Sequence, residues 1–291
     1  MRILVTNPPW PGPGYGARSS VRWPHRRKDK YLEYPIHLAY VISILKEEGF
    51  DSYFLDGVEE EMEISSYVKA VREMAPELIF MEASTASIEH DLESARGLKE
   101  ALPAARIVLM GPHATYFHRE ILDDNPAVDA VCRGEFESTA REIANALRQG
   151  RGLSTIAGVS YREGNSVSEN AEKTETDDID SFPYPDRQIV RIEKYQQGSF
   201  LGKRTATLIS SNGCPFSCVF CLWPKTLYHG KRRERRPECI VREMEDVVER
   251  YGADEIYFDD DCLALSKKRL VDICGPMARS LRRVNWIAQI R

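Results

Sequence analysis

The sequence predicts an α/β protein in which a doubly wound parallel-sheet domain is followed by the opening units of a second parallel sheet. Short apolar runs alternate with segments of helical periodicity through residues 1–150, and the same alternation resumes at Lys203. The 291 residues are enough for one large or two ordinary domains. The hydrophobic fraction of 42% and the charged fraction of 29% are those of an ordinary globular protein.

The first region contains five predicted strands separated by helices. Apolar runs that suit strands buried on both faces lie at residues 3–5, 53–55, 78–81, 107–110 and 128–132. Apolar residues at helical spacing mark helices at 37–48, 68–74, 88–98 and 136–147, and Gly49 ends the first of these. Such alternation is typical of βαβ units. Residues 1–150 are therefore predicted to form one domain.

Small and polar residues follow three of these strands. Ligands of a doubly wound sheet bind beyond the carboxyl ends of its strands. The residues at those ends are Ser84 and Thr85 after the third strand, Gly111 after the fourth, and Glu135 after the fifth. A long loop rich in proline and glycine follows the first strand, at residues 7–35. The pattern suits a ligand that approaches the backbone closely, and ordinary turn chemistry explains it as well.

The remaining chain divides into a connector, 151–202, and a second domain, 203–291. The connector contains a predicted hairpin, 159–168, which turns at Gly164 and Asn165, and it has little core of its own. The second domain is predicted to open as βαβαβ, with strands at 206–210, 255–258 and 284–290 and a helix capped by Ser266. A barrel of about eight such units needs more chain. We therefore expect a fragment that stops within its barrel, exposes an open sheet edge and is inactive in isolation.

Charge and cysteine usage limit the function classes. The net charge of −5 gives no general attraction to nucleic acid. The basic runs 22–30 and 231–236 are interpreted as solvated faces, with polyanion binding as the alternative. The sequence shows neither an apolar run of membrane-spanning length nor a signal peptide, so a cytoplasmic protein is expected. Seven cysteines, three of them clustered, favour a reducing compartment and a metal or redox site.

The clustered cysteines lie in GCPFSCVFC as C-x3-C-x2-C, formed by Cys214, Cys218 and Cys221. Thiolates bind zinc or build iron–sulfur clusters. A structural zinc site needs a fourth protein ligand, for which His229 and Cys239 are the candidates. The alternative is a four-iron cluster held by three thiolates, with one iron left open. Zinc hooks usually begin with C-x2-C, so the first gap of three residues favours the cluster.

The motif resembles that of the radical S-adenosylmethionine (radical SAM) superfamily, in which C-x3-C-x-Phe-C follows the first barrel strand. The domain ahead of it resembles the cobalamin-binding domain of the B12-dependent branch, and the resemblance covers nearly the whole chain. Five segments carry it: ILVTNPPW, PIHLAYVISILKEEGF, GPHAT, RGEFE and IYFDDDCLALSKKR.

The resemblance implies a [4Fe–4S] cluster whose fourth ligand is S-adenosylmethionine, bound through its amino and carboxylate groups. A ferredoxin or flavodoxin would supply the electron that cleaves the sulfonium to methionine and a 5′-deoxyadenosyl radical, which abstracts a hydrogen atom. Phe220 would pack near the adenine. Asp260 or Asp261 would accept a hydrogen bond from the ammonium, which is a donor only. A capped, solvated turn is the alternative reading of these aspartates.

The resemblance also implies cobalamin at the carboxyl edge of the first domain, near Ser84, Thr85, Gly111 and Glu135. The D-x-H-x-x-G motif that supplies a cobalt ligand in methionine-synthase-type domains is absent from the sequence. Cobalamin would therefore bind base-off, with its own base not coordinated to cobalt, or the domain is a relict that binds none. The spare histidines are predicted to be surface or helix-start residues: His25, His37 and His113.

The function implied by the resemblance is methyl transfer from methylcobalamin to unactivated carbon or phosphorus of a small molecule. Ring cyclisation of a tetrapyrrole and B12-independent radical chemistry are the alternatives within the superfamily. A zinc-stabilised binding module is the alternative from another class.

Overall fold

The structure, a computed structural model, describes residues 1–18, 26–28, 31–174, 177–195, 201–280 and 284–290. The strands are β1 (Arg2–Asn7), β2 (Tyr15–Gly16), β3 (Arg26–Arg27), β4 (Asp51–Asp56), β5 (Leu78–Glu82), β6 (Arg106–Met110), β7 (Ala130–Cys132), β8 (Val159–Glu163), β9 (Ser166–Glu169), β10 (Thr205–Leu208), β11 (Ser211–Asn212), β12 (Arg233–Glu234), β13 (Glu255–Phe258) and β14 (Asn285–Ala288). The α-helices are α1 (Ile36–Glu47), α2 (Ile64–Met74), α3 (Ile88–Ala101), α4 (Pro112–Tyr116), α5 (His118–Asp124), α6 (Glu137–Arg148), α7 (Trp223–Thr226), α8 (Pro237–Tyr251) and α9 (Lys267–Ser280).

The first sheet has the order β4-β1-β5-β6-β7-β8-β9, and its first five strands are parallel. Counted along the chain, these five follow the 2-1-3-4-5 order of a doubly wound fold, whose direction of winding reverses between β1 and β5. The predicted doubly wound domain is confirmed. The last two strands are the predicted hairpin, which pairs antiparallel with β7, so that Cys132 lies opposite Val159. The first sheet therefore extends beyond residue 150, and the hairpin is part of its edge.

Helix α1 is buried on every side. All residues from Ile36 to Leu45 are buried, because one side packs on the first sheet and the other meets the connector. Ser43 Oγ donates to the Tyr184 carbonyl at 2.7 Å, and the rings of Tyr40 and Phe182 lie 6.3 Å apart. The periodicity predicted one apolar face, but the helix is enclosed like one in the middle of a larger core.

The second sheet is parallel, with the order β10-β13-β14, and the predicted βαβαβ opening is confirmed. Ser266 caps α9 as predicted, since its Oγ accepts from Arg269 N at 3.1 Å. Buried residues of both sheets belong to one continuous cluster, which includes Ile3, Val41 and Ile256. In the described parts of the chain, none of the helices combines the length and apolarity that crossing a membrane requires.

A buried triad of charges supports the strand that leads to the cysteines. The carboxylate of Glu243, on α8, accepts hydrogen bonds from Arg187 Nη2 at 2.7 Å and from Arg235 Nη1 at 2.5 Å. Arg187 also donates to the Thr207 carbonyl, and Arg235 donates to the Ile209 carbonyl. Burial opposes ionisation of Glu243, but the two guanidinium groups hold its pKa below the ordinary value. The connector and the segment after the cysteines are thereby tied to β10.

The basic run 231–236 is not a solvated face. The side chains of Arg232, Arg233 and Arg235 are largely buried, and the run contains β12, which returns from the cysteine loop and pairs with β11. Its cations bind carboxylates and backbone carbonyls within the chain, which leaves a polyanion little to bind. The prediction of a solvated face was wrong because the arginine side chains of this run bind other segments of the chain and do not face water. The other run, 22–30, lies largely outside the described residues.

Substitution of Glu243 by glutamine should destabilise the chain strongly. The change leaves Arg187 buried without its carboxylate and leaves Arg235 paired with Asp180, and uncompensated burial of a charge costs about 3–5 kcal/mol. Urea denaturation followed by circular dichroism measures the free energy of unfolding. Glu249→Gln, an exposed change on the same helix, is the matched control and should alter it by less than about 0.5 kcal/mol. Equal stabilities of the two variants would contradict the role of the triad.

Candidate cluster and cofactor site

The cysteines lie in a loop whose base is closed by two short strands. After β10, Ser211 and Asn212 pair antiparallel with Glu234 and Arg233, so residues 213–232 project from this base. Cys214, Cys218 and Cys221 are half-buried and line one cavity of about 370 Å³, together with His229. The carboxyl end of the first strand in the second sheet thus presents three thiols to one space.

The thiols share this cavity without converging on one point. Within the described ranges, no three His, Cys, Asp or Glu side chains lie close enough to hold a single metal ion. A four-iron cluster separates its cysteine sulfurs more widely than one zinc ion does. Burial, with Asp261 and neighbouring thiols adding to it, raises the pKa of the Cys214 thiol. Loading of a metal there would release that proton.

The two candidate zinc ligands differ in position. Cys239 is buried at the start of α8, and its sulfur lies 3.3 Å from Arg242 Nη2; it does not line the cysteine cavity. His229 does line the cavity, with a backbone φ of 49° that residues other than glycine adopt rarely. The structure therefore keeps His229, but not Cys239, beside the three cysteines.

Phe220 is on the surface of the loop, with 74% of its area exposed. Its neighbour Val219 is fully exposed. An exposed apolar pair on a protein surface is suited to contact with a ligand or a further segment of protein. The predicted contact of Phe220 with adenine stays a prediction.

The two candidate aspartates occupy different environments. Asp260 is fully buried and accepts hydrogen bonds from Ser210 N at 2.7 Å, from Ser210 Oγ at 2.6 Å and from Ser211 Oγ. Its oxygens thereby hold the end of β10, and burial raises its pKa. Asp261 is half-buried, and its Oδ2 accepts from Gly213 N at 3.0 Å. Of the two, Asp261 is the better placed to meet a ligand beside Cys214.

The predicted cofactor residues of the first domain lie at the carboxyl ends of β5 and β6. Ser84 is buried and shares a hydrogen bond of 2.9 Å with Ser87, whereas Thr85 is exposed and bonds His113 at 3.0 Å. Gly111 has a φ of 108°, and a Cβ there would lie 2.7 Å from the Ala83 carbonyl. Close strand-end packing alone therefore requires glycine at this position.

A buried ion pair at the reversal point between β1 and β5 was missed by the sequence analysis. Arg18 Nη2 donates to Asp91 Oδ1 at 2.7 Å, and its guanidinium lies over the ring of Trp10. Asp91 also accepts from Ser87 Oγ and Ser84 N. The sequence did contain a signal for this site: Ser84 and Ser87 precede Asp91, which lies in the first turn of a predicted helix. The pair fixes the loop after β1 against the loop after β5.

The loop after β7 joins the first domain to the cysteine loop. Glu135 forms an ion pair with Arg233, and burial raises the pKa of Glu135 to about 7 despite this guanidinium. A Cβ on Gly134 would lie 3.4 Å from His229 Nε2. Helix α4, after β6, contacts α7, which follows Cys221. The carboxyl edge of the first sheet therefore lies against the cysteine loop.

Two of the spare histidines, His37 and His113, have structural partners. His37 begins α1 as predicted, but it is buried; its Nδ1 lies 2.7 Å from Glu137 Oε1, and its ring centroid is 5.6 Å from that of Trp223. Burial opposes protonation, yet the Glu137 carboxylate raises the pKa of His37. His113 is at the start of α4, and His25 lies outside the described residues.

Comparison with known proteins agrees with this architecture. Residues 25–144 match the B12 binding domain family. An uncharacterized methyltransferase, PH0819 of Pyrococcus horikoshii, is 32% identical over 258 residues, which is 88% of this chain and 55% of that protein. The chain belongs to the radical SAM proteins that contain a B12-binding domain.

Other members of this family share the whole described fold. The anaerobic magnesium-protoporphyrin IX monomethyl ester cyclase of Cereibacter sphaeroides is 28% identical over 98% of this chain and 45% of its own length. The solved structure of the cobalamin-dependent enzyme OxsB superposes with a TM-score of 0.75 at 16% identity, over 98% of this chain and 38% of that one. The solved structure of the methyltransferase TsrM of Kitasatospora setae has cobalamin and a [4Fe-4S] cluster bound. It superposes with a TM-score of 0.68 at 16% identity, over 96% of this chain and 51% of that one. The chain spans about half the length of the curated relatives it matches.

The raised pKa of Glu135 predicts a specific pH dependence of stability. Its folded-state pKa of about 7 lies above the ordinary 4.5, so the folded chain binds more protons between these values and loses stability as pH rises toward 7. Glu135→Gln should reduce this loss, measured as the difference between the free energies of unfolding at pH 5 and pH 7. Glu172→Gln, an exposed change beside the same junction, should keep the wild-type difference. Identical differences in both variants would contradict the prediction.

Proposed function

We propose that this chain is the cobalamin-binding and cluster-binding part of a radical SAM enzyme, and that the enzyme transfers a methyl group to an unactivated carbon or phosphorus of a small molecule. The observation that carries the proposal is the position of the three thiols. They line one cavity at the carboxyl end of β10, and their loop packs against the carboxyl edge of a B12-binding domain.

The residues present fit the proposed cluster. Three thiols from one short loop surround a space larger than a single ion needs, and they do not converge as a closed zinc site would. Cys214, Cys218 and Cys221 would hold three irons, and the fourth iron would take S-adenosylmethionine. Asp261 would accept from the ammonium of that ligand, and exposed Phe220 would contact its adenine.

The carboxyl edge of the first sheet fits a large cofactor that lies between the two domains. Ser84, Thr85, Gly111 and Glu135 lie at ends of three strands of this edge, next to the reversal point where doubly wound domains bind ligands. We assign neither His37 nor His113 to cobalt; the Nδ1 of His37 lies against Glu137, and the Nδ1 of His113 lies against Thr85. When bound, methylcobalamin supplies the methyl group, and S-adenosylmethionine supplies the radical and renews the methyl.

Relatives support methyl transfer most directly. The curated relatives include the cytidylyl-2-hydroxyethylphosphonate methyltransferase of Streptomyces wedmorensis, 25% identical over 78% of this chain, and the hopanoid C-3 methylase of Methylococcus capsulatus, 24% identical over 88%. The similarity to a magnesium-protoporphyrin cyclase favours ring cyclisation as the second candidate. A low-potential protein such as ferredoxin or flavodoxin is the proposed reductant.

Anaerobic reconstitution with iron, sulfide and hydroxocobalamin tests the cofactor content. We expect about four irons per chain after desalting, together with retained cobalt. Substitution of Cys214, Cys218 and Cys221 by alanine should abolish iron uptake, whereas Cys274→Ala on α9 should not. Iron without cobalt would remove the cobalamin-dependent part of the proposal. Zinc without iron, lost in His229→Ala, would favour the binding module and refute the radical mechanism.

Asparagine substitutions should separate the roles of the two aspartates. Asp260→Asn places an amide among serine donors, so we expect a loss of about 1–3 kcal/mol in the free energy of unfolding. Asp261→Asn should change stability less and weaken S-adenosylmethionine binding about tenfold, which corresponds to one charge-assisted hydrogen bond. Urea denaturation and equilibrium dialysis measure the two effects. If Asp260→Asn weakened binding and Asp261→Asn lowered stability, Asp260 would be the residue that contacts the ligand.

A further inference from the structure

Gly213, directly before the first cysteine, is held on three sides. Its N–H donates to Asp261 Oδ2 at 3.0 Å, and its carbonyl accepts from Arg232 Nη1 at 3.4 Å. A Cβ at this residue would lie 1.9 Å from the Lys231 carbonyl oxygen, and its φ is 86°. Only glycine fits here, and its two peptide groups fix the start of the cysteine loop.

Arg232 connects this loop to the loop after β13. Its Nη1 also donates to the Cys262 carbonyl at 2.8 Å, and its Nε binds Glu234 Oε1 at 3.0 Å. The side chain is 11% exposed. One guanidinium thus bridges the residue before Cys214 and the residue after Asp261. The planar guanidinium of arginine has several N–H donors in fixed directions, so it can bridge the two loops. The compact ammonium of lysine is poorly suited to this bridge.

The guanidinium has a third nitrogen, Nη2, which takes no part in these contacts. Its Nη2 is shielded from solvent and makes no hydrogen bond to any described residue. A buried, charged N–H without an acceptor is costly, so an acceptor that enters between the two loops would be bound favourably.

We propose that Arg232 is a positioning residue that sets the distance between Cys214 and Asp261, and thereby the fit of a ligand that spans from the metal centre to this aspartate. The inference rests on the proposed function only in naming S-adenosylmethionine as that ligand. Clamping of the two loops is a property of the chain itself.

A neighbouring arginine of the same run provides the control. Arg236 is exposed, and its guanidinium binds Asp180, which belongs to neither loop. Arg232→Gln and Arg236→Gln remove the same charge from the same segment, so a difference between them reports the bridge and not the net charge.

Hydrogen exchange on the full chain without cofactors tests the clamp. In Arg232→Gln we expect about tenfold faster exchange at Gly213 N–H, with Arg236→Gln at the wild-type rate. Arg232→Lys should resemble Arg232→Gln, because it retains the charge and loses the fork. The proposal is overturned if Gly213 N–H exchanges at the same rate in Arg232→Gln and Arg236→Gln. It is also overturned if Arg232→Lys exchanges at the wild-type rate. Wild-type exchange of the core strands in each variant shows that the fold is kept.

Electron paramagnetic resonance of the reduced, reconstituted chain tests the consequence for the ligand. Arg232→Gln should keep the wild-type iron content, and its spectrum should need about tenfold more S-adenosylmethionine to change than that of Arg236→Gln. Equal titrations overturn the positioning role. If the wild-type chain takes up no iron, the proposed function fails, and hydrogen exchange alone decides the clamp.

Discussion

The carboxylate of Glu243 is the point on which the second domain depends. It pairs with two buried arginines, one before the cysteine loop in the sequence and one after it, and Asp180 provides a second carboxylate for the latter. Each arginine also donates to one backbone carbonyl of residues 207–209, which lead to the cysteines. Since a buried charge without its partner is very unfavourable, these three segments fold together or not at all.

This arrangement positions the cysteine loop between the two domains. The triad holds the strand, the β11–β12 pair closes the base of the loop, and Trp223 anchors its far side against His37 of the first domain. The framework determines where the cavity lies, and the thiols keep the freedom to adjust to what they bind. Charge pairs, strand pairing and the contact of Trp223 with His37 therefore define the position of the site.

The sequence predicted the order of the elements and the three thiols because both are local patterns. Strand runs, helical spacing and C-x3-C-x2-C need no knowledge of distant partners. The different fates of Asp260 and Asp261 could not be predicted, because one residue along the chain decides which carboxylate turns inward to Ser210. The burial of Arg232 and Arg235 was missed for the same reason, since a basic run looks identical whether water or Glu243 faces it.

The enclosure of α1 limits how the two halves of the chain can be separated. A helix that is apolar on all sides belongs to both halves of the molecule, because its outer surface is completed by Tyr184, Phe182 and the rest of the connector. Exchange of the first half between proteins would leave that surface bare to water. A chimaera built from such chains must therefore keep the connector together with the helix that it covers.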